Sequence, residues 1–468
     1  MEVIDWIWII TATLAGLAVG SFLNVVMYRL PRGMSVAHPK RSFCPRCQTP
    51  IAAADNIPVV SFLLLRGKCR HCTVPISIRY PLVEMLTALA FVLVVDTFVV
   101  AGVRQGKVPV GLDWPVVVAH LLLIASLIAI SAIDIEEYLV DLRITRLLVG
   151  VGCVAHVLWT PVASGNWWRP GAGTAATTMA AATGLILARL IWPDVPPPEE
   201  DEAPAQPASS PKQPENASGR TLPVWMMVAV LAGVIGLMAI DATTRPSDAT
   251  TRSSSRSFPI RAGLILLTCF GGIVAGSAIH RESDEEIAEA LEEERPLARR
   301  VAIAELLYLS PAIVLGVGSL LLLKIPAVGE GWLNVLAWSP VAGHVPVTGL
   351  ATAVSGMIVA GGVGWGVRIF FTLILGKEAF GLGDVHIMAA AGAVAGWVVV
   401  VVGFFLGAVF ALAGVLCLLA VKRSRAIPFG PWLSIGIVLA IVAYQPIYDW
   451  FAPGLKGLMF MLNAGEPG

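Results

Sequence analysis

Long apolar runs dominate the chain and alternate with short polar segments. A membrane-spanning helix needs about 20 predominantly apolar residues, and that length rule predicts twelve spans. The runs are continuous rather than alternating, which favours helices over a β-barrel. The stretch 386–421 is too long for one crossing, so we predict two spans with a turn near Gly403. The spans fall near residues 6–27, 81–101, 114–133, 144–160, 172–192, 223–241, 260–279, 301–323, 347–375, 386–402, 403–421 and 429–446.

The first apolar run does not resemble a secretory signal peptide. Acidic Glu2 and Asp5 precede it, where a basic segment would be expected, and no small-residue cleavage site follows. We therefore expect this run to remain in the protein as a membrane span.

Composition agrees with a membrane protein. Hydrophobic residues make up 56% of the 468 positions and charged residues 14%, against about 25% charged in typical soluble domains. The predicted fold is an all-α polytopic membrane protein of about 12 transmembrane helices with a small cytoplasmic zinc-binding loop. The lipid bilayer is an expected partner. Nucleic acid is not, because no basic tract is interleaved with aromatic residues.

Basic residues predict the orientation, because cytoplasmic loops of membrane proteins are rich in Lys and Arg. Only Asp55 opposes nine basic residues in the first loop, which puts that loop inside and the N-terminus outside. Counting crossings then puts Asp134 and Asp384 on the cytoplasmic side as well. The nine are Arg29, Arg32, Lys40, Arg41, Arg46, Arg66, Lys68, Arg70 and Arg79.

Two polar segments interrupt the later spans. Residues 193–219 are rich in Pro, acidic and small residues and predict a disordered linker. Residues 281–300 predict a charged surface helix ended by Pro296. The sequence therefore predicts six segments. They are the first transmembrane helix (1–30), the four-Cys loop (31–80), the helices carrying Asp134 (81–192), an insertion with the linker and extra membrane helices (193–345), the helices carrying Asp384 (346–446) and a C-terminal tail (447–468).

Two CxxC pairs lie in the first loop with 21 residues between them: Cys44 with Cys47, and Cys69 with Cys72. Four thiolates at such spacing suit tetrahedral zinc, and with every position filled by protein the zinc would be structural. Basic neighbours would lower the thiol pKa values. Disulfides or free thiols are the alternative, but a cytoplasmic loop disfavours disulfides. We expect His71 to be a solvated spacer, and Cys153, Cys269 and Cys417 to act as small hydrophobic residues.

Two aspartates lie at predicted membrane edges. Asp134 closes the third span and Asp384 opens the tenth, after Gly381-Leu382-Gly383. A pair of carboxylates can hydrolyse a peptide bond, one activating water while the other, protonated, polarises the carbonyl. Glycines at 381 and 383 would let an extended substrate approach the backbone. The alternative is helix capping, for which Asp384 is well positioned.

The chain resembles the type IV prepilin leader peptidases, which are GxGD intramembrane aspartyl peptidases. The resemblance rests on motifs that recur in the family's order over roughly 1–160 and 345–446. These are Gly20-Ser21-Phe22-Leu23-Asn24, Arg29-Leu30-Pro31, the CxxC pairs, Arg79-Tyr80-Pro81 with Glu84, Ile133-Asp134, Gly381-Leu382-Gly383-Asp384 and Pro428-Phe429-Gly430-Pro431.

The resemblance implies a function. Family members cut the basic leader from type IV prepilins and type II secretion pseudopilins at the cytoplasmic face of the bacterial inner membrane. Many then N-methylate the new terminus with S-adenosylmethionine, an activity linked to the Cys-bearing loop. It implies Asp134 and Asp384 as catalytic residues, with Gly381 and Gly383 in the active-site motif and the four cysteines as metal ligands. The residues that would bind S-adenosylmethionine are unknown.

The sequence also departs from the family pattern. Val140-Asp141 stands where an LPD or IPN pattern is usual, which leaves Asp141 as a rival for the first catalytic role. His386 replaces a frequent Lys and is expected on a helix surface. The surplus length, roughly 165–345, has no assigned function.

Helix dipoles suggest different roles for the two aspartates. Asp384 at a helix N-terminus would be the resting base, and Asp134 at a C-terminus the resting acid. Glu136 and Glu137 would reinforce this by adding negative charge beside Asp134. The competing hypotheses are a catalytically degenerate scaffold and a transporter with a zinc-stabilised loop. A transporter should carry polar residues at mid-span, and no sequence pattern links the few candidates to one another: Glu84, Asp96, His120, His156 and Glu305.

Overall fold

A computed structural model of the chain describes residues 3–39, 41–100, 110–159, 172–192, 284–328, 346–378, 380–420 and 428–443. Several predictions lie outside these residues. They are the spans at 223–241 and 260–279, the linker at 193–219, the tail at 447–468 and Cys269.

Helices make up most of the described residues, among which the only β-structure is two isolated bridges in the first loop. Ten of the predicted spans correspond to ten helices. The α-helices are α1 (Val3–Arg29), α2 (Val60–Leu64), α3 (Arg79–Val95), α4 (Val110–Glu137), α5 (Leu142–Leu158), α6 (Ala172–Ile191), α7 (Asp284–Leu322), α8 (Pro346–Leu375), α9 (Leu382–Ala395), α10 (Trp397–Ala420) and α11 (Gly430–Val442).

Seven of the described helices are long and apolar enough to cross a membrane, and α9 and α11 are shorter apolar helices. Many large apolar side chains on the outer helices are exposed, such as Leu14 at 63%, Val409 at 63% and Leu307 at 61%. Such a surface suits lipid and would be unfavourable in water. The polytopic all-α membrane fold is therefore confirmed.

The apolar run at 386–421 does divide into two helices, but the predicted turn position is wrong. The break falls at Gly396, whose φ of 85° is in the left-handed region that ends helices. Gly403 instead lies inside α10, where a Cβ atom would stand 2.7 Å from Ile437 Cα of α11. Its role is close helix packing.

Pro296 does not end a helix, contrary to the prediction. α7 continues through it from Asp284 to Leu322, so the charged segment and the following apolar span form one helix of 39 residues. A proline interrupts one backbone hydrogen bond, which packing of the rest of the helix can offset. That packing is close: a Cβ atom at Gly184 of α6 would lie 2.4 Å from Ala312 Cα of α7.

The core lies where α4, α9 and α11 meet. Leu123 and Ile130 of α4, Met388 of α9, and Leu433 and Ile437 of α11 are fully buried in one cluster. α1 packs on α3, and α5 and α8 pack on α9. This packing brings three helix ends together: the C-terminus of α4 and the N-termini of α9 and α11.

Candidate functional site

Four cysteine thiols of the loop between α1 and α3 meet at one point. The Sγ atoms of Cys44, Cys47, Cys69 and Cys72 lie within 4.8 Å of one another, and Cys44 Sγ is 3.8 Å from Cys72 Sγ. Tetrahedral zinc with Zn–S bonds of about 2.3 Å requires S–S separations of about 3.8 Å. The predicted group therefore has a geometry that can hold a metal ion.

Both CxxC pairs form the same backbone turn. In the first, the amide of Gln48 donates to the Cys44 carbonyl at 2.8 Å, and the amide of Cys44 donates to the Thr49 carbonyl at 3.0 Å. The second repeats this pattern with Thr73 in the place of Gln48. Both residues have positive φ, 57° and 54°. The local chain thus shapes each half of the site independently of the helices.

Hydrogen bonds favour the thiolate form of Cys47 and Cys69. The pKa of the Cys72 thiol is instead raised to about 11, because the lowering effect of the Val74 backbone is outweighed by burial and by hydrogen bonds with the other thiols. A hydrogen bond with the Thr49 side chain, and a second one with the Thr49 backbone, lower the pKa of the Cys47 thiol to about 6. Backbone amides at 71–72 lower the pKa of the Cys69 thiol. Basic neighbours, the predicted cause, are not among the causes of these two lowered pKa values.

The basic residues have structural tasks instead. Arg70 donates two hydrogen bonds to Asp55, at 2.7 and 2.6 Å. Arg29, buried at the end of α1, donates to four backbone carbonyls at residues 35, 36, 39 and 41. These bonds fix the start of the loop. His71 is exposed and outside the thiol group, as expected.

Asp134 and Asp384 approach the same glycine. A Cβ atom added at Gly430 would lie 2.5 Å from Asp134 Oδ2 and 3.5 Å from Asp384 Oδ1. Both distances are measured from the same Cβ position. Asp134 Oδ2 and Asp384 Oδ1 are therefore separated by at most the sum of the two distances. Both residues are 7% exposed. Two buried carboxylates within this limit are close enough to hold one water molecule between them.

Three helix ends supply these groups. Asp134 lies in the last turn of α4, Asp384 is the third residue of α9, and Gly430 is the first residue of α11. The capping alternative put Asp384 at the N-cap, but Gly381 occupies that position in α9 and Asp384 lies within the first turn.

The two motif glycines have different neighbours. At Gly383 a Cβ atom would lie 2.6 Å from Val140 Cγ2, so this glycine allows close packing of the turn between α4 and α5. At Gly381 a Cβ atom would lie 3.3 Å from Asp384 Oδ2. A side chain at either position would displace the segment between α8 and Asp384, residues 376–384, which we call the aspartate loop.

An aromatic cluster joins the two segments around the carboxylates. Phe380 directly precedes Gly381, and Phe429 directly precedes Gly430. Their ring centroids are 5.5 Å apart, and each ring also packs edge-on against Phe404, at 5.6 and 5.9 Å. Edge-to-face packing of this kind favours a defined geometry. Sequence reasoning missed both the cluster and Gly430, although the Pro428–Pro431 motif was a signal for the latter.

Glu136 and Glu137 do not stand as unpaired negative charges beside Asp134. Glu136 forms an ion pair with Arg79 at the start of α3, and Glu137 pairs with Arg32 at 3.7 Å. The prediction that they reinforce the acid role of Asp134 loses its basis, because each carboxylate has a cation beside it.

Asp141, the rival for the first catalytic role, is a helix cap. Its carboxylate accepts the amide of Arg143 at 2.8 Å and pairs with the same residue's guanidinium at 2.6 Å. That guanidinium also donates to the Leu30 carbonyl at 2.9 Å. Asp141 therefore ties α5 to α1. His386 is half-buried, and its Nδ1 lies 2.9 Å from the Leu382 carbonyl one turn earlier in α9.

Residues 14–98 match the sequence profile of the Bacterial Peptidase A24 N-terminal domain. Three relatives carry the name prepilin leader peptidase/N-methyltransferase. The protein of Myxococcus xanthus is 43% identical over 138 residues, which are 29% of this chain and 37% of that protein. The protein of Neisseria gonorrhoeae is 39% identical over 170 residues, 31% of this chain and 54% of the relative. The protein of Aeromonas hydrophila is 34% identical over 212 residues, which are 40% of this chain and 66% of that protein.

This chain thus spans between about a third and two thirds of the length of these relatives. No solved structure matches it significantly.

Proposed function

We propose that this chain, a member of the type IV prepilin peptidase family, removes the N-terminal leader from type IV prepilins or type II secretion pseudopilins. The observation that carries the proposal is the approach of Asp134 and Asp384 to one glycine at the ends of three helices. The relatives' names supply the substrate class.

The chemistry requires one ionised and one protonated carboxylate. The ionised aspartate takes a proton from water, and the resulting hydroxyl attacks the scissile carbonyl carbon. The protonated aspartate donates a hydrogen bond to the carbonyl oxygen, which carries the developing negative charge. Collapse of the tetrahedral intermediate breaks the C–N bond, and the leaving amine takes up a proton from the dyad.

The two roles follow from helix position. The partial positive charge of a helix N-terminus favours the anion at Asp384, and the C-terminus of α4 favours the neutral acid at Asp134. We therefore assign Asp384 as the resting base and Asp134 as the resting acid, with the protons belonging to the pair.

The cysteine loop would hold structural zinc through Cys44, Cys47, Cys69 and Cys72, and bound zinc would keep the two turns together. N-methylation of the new terminus with S-adenosylmethionine is the second proposed activity.

The proposed location is the bacterial inner membrane, with the N-terminus outside. The loop and the dyad lie on the cytoplasmic side, because the basic residues are concentrated there. The division of the chain into six segments, from the first transmembrane helix at 1–30 to the tail at 447–468, belongs to the same proposal.

A single assay tests both activities. Purified protein in lipid nanodiscs is mixed with a prepilin and S-adenosylmethionine, and the products are scored by mass for leader loss and for one added methyl group. Wild type should give both products. A protein that binds zinc, keeps its fold and yields neither product would be the scaffold or the transporter.

A further inference from the structure

A buried ion pair connects α7, in the insertion, to α8. Glu305 of α7 is 2% exposed. Its carboxylate accepts the Nε–H of Arg368 at 3.0 and 3.2 Å, and the indole N–H of Trp365 at 2.9 Å. Sequence reasoning treated Glu305 as unpaired, because its partner lies 63 residues away on another helix.

Arg368 continues the contact to the aspartate loop. Its Nη1 donates to the Phe380 carbonyl at 2.6 Å and forms an ion pair with Glu378. Phe380 immediately precedes Gly381 of the motif that ends in Asp384. A planar guanidinium presents its donors in a fixed fork. Holding Nε at Glu305 therefore fixes the direction in which Nη1 reaches the loop.

α7 makes a second contact where the loop begins. Arg299 donates to the Leu373 carbonyl in the last turn of α8 at 3.1 Å. Next to it, Gly376 ends the helix with φ of 67°, and a Cβ atom there would lie 3.3 Å from Arg299 Nε. The insertion helix thus contacts the loop directly at its start and, through Arg368, at Phe380.

We infer that Glu305 and Arg368 are positioning residues, through which the insertion helix α7 sets the placement of Asp384. This inference rests on the proposed peptidase function. Glu305 touches no reacting group and acts only through Arg368. Without it, the guanidinium retains Glu378 but loses the partner that directs it, and the Phe380 carbonyl loses a fixed donor. Small displacements of a catalytic group reduce turnover far more than substrate binding.

The variants Glu305→Gln and Arg368→Gln test this in nanodiscs. We expect kcat for leader cleavage to fall about tenfold in Glu305→Gln and more in Arg368→Gln, with KM unchanged. The double variant should be no slower than Arg368→Gln alone, because Glu305 acts through that residue. Trp365→Phe, which removes one bond to Glu305, should have a smaller effect in the same direction.

Ser355→Ala is the matched control. It breaks a buried 2.6 Å hydrogen bond between Thr178 of α6 and Ser355 of α8, which does not reach the loop, and it should leave kcat unchanged. Equal kcat in Glu305→Gln and wild type, or additive losses in the double variant, would overturn the inference.

A readout independent of catalysis separates this inference from the proposed function. Hydrogen–deuterium exchange of the amides at 380–383 should accelerate in Glu305→Gln but not in Ser355→Ala. Wild type that cleaves nothing refutes the proposed function, while unaltered exchange in Glu305→Gln refutes the positioning role.

Discussion

The four-cysteine loop and the aspartate pair differ in how much chain each one needs. The cysteines come from 29 consecutive residues, 44–72, and short backbone turns aim their thiols. The aspartates are 250 positions apart and meet only because α4, α9 and α11 pack with their ends together. The loop is thus a local structure, and the dyad is a product of the tertiary fold. Changes to one should leave the other largely intact.

The largest effect should come from the carboxylates themselves. Asp134→Asn and Asp384→Asn should each reduce leader cleavage by about 10³-fold or more, because an amide replaces neither the base nor the acid. Zinc content, measured by atomic absorption, should stay at the wild-type value. Cleavage by either variant at near wild-type rate would exclude the dyad.

Substitution of Gly430 tests the packing on which the dyad depends. A methyl group there would stand 2.5 Å from Asp134 Oδ2, so Gly430→Ala should displace that carboxylate and reduce kcat about 10²-fold. Gly366→Ala is the control, because nothing lies within 4 Å of its added Cβ. Steady-state kinetics should separate the two, and similar rates would mean that Gly430 has no special position.

Substitutions of the cysteines test whether the four-cysteine loop can be altered without loss of the aspartate pair. Cys44→Ser and Cys69→Ser should reduce zinc affinity by about 100-fold or more, since each removes one of four ligands. We expect methylation to be lost and leader cleavage to fall much less. Cys153→Ser, in α5 and outside the thiol group, should keep its zinc. Complete loss of cleavage in the loop variants, with the fold intact, would contradict the independence of the two regions.

The smallest effect concerns the ion pair at the end of α4. Glu136→Gln removes negative charge near Asp134, which favours the ionised form of this resting acid, and should therefore move the basic limb of the pH–activity profile down by about 0.3 pH unit, typical of partly exposed pairs. Removing both partners, with Glu136→Gln and Arg79→Gln together, should return the limb to within about 0.1 unit of wild type. Equal shifts in the single and double variants would mean that Arg79 does not offset the charge of Glu136.

The difference between a local structure and a product of the tertiary fold also decides what could be predicted from the sequence. The CxxC spacing predicts four converging thiols directly, and the structure brings them together, because the relevant geometry is local. The break at Gly396 could not be distinguished from one at Gly403, since both are glycines in an apolar run and only packing on α11 decides between them.

Long-range partners were the hardest to predict. The pairs Glu305–Arg368 and Glu136–Arg79 join residues on different helices, and periodicity carries no information about such contacts. The position of Gly430 between two carboxylates also depends on three helix ends meeting. The motif Pro428–Pro431 contains that glycine, but a motif carries no information about the carboxylates that it will contact.

The continuity of α7 through Pro296 has a mechanical consequence. Arg299 and Glu305 lie six residues apart, about 9 Å along the helix axis, and each is tied to α8 or the loop that follows it. Two attachments at different heights oppose both sliding and rotation of α7 against α8. The whole helix, about 58 Å long at 39 residues, is roughly twice the hydrocarbon thickness of a bilayer. Its charged N-terminal part is therefore continuous with the part that contacts α8 and the segment leading to Asp384.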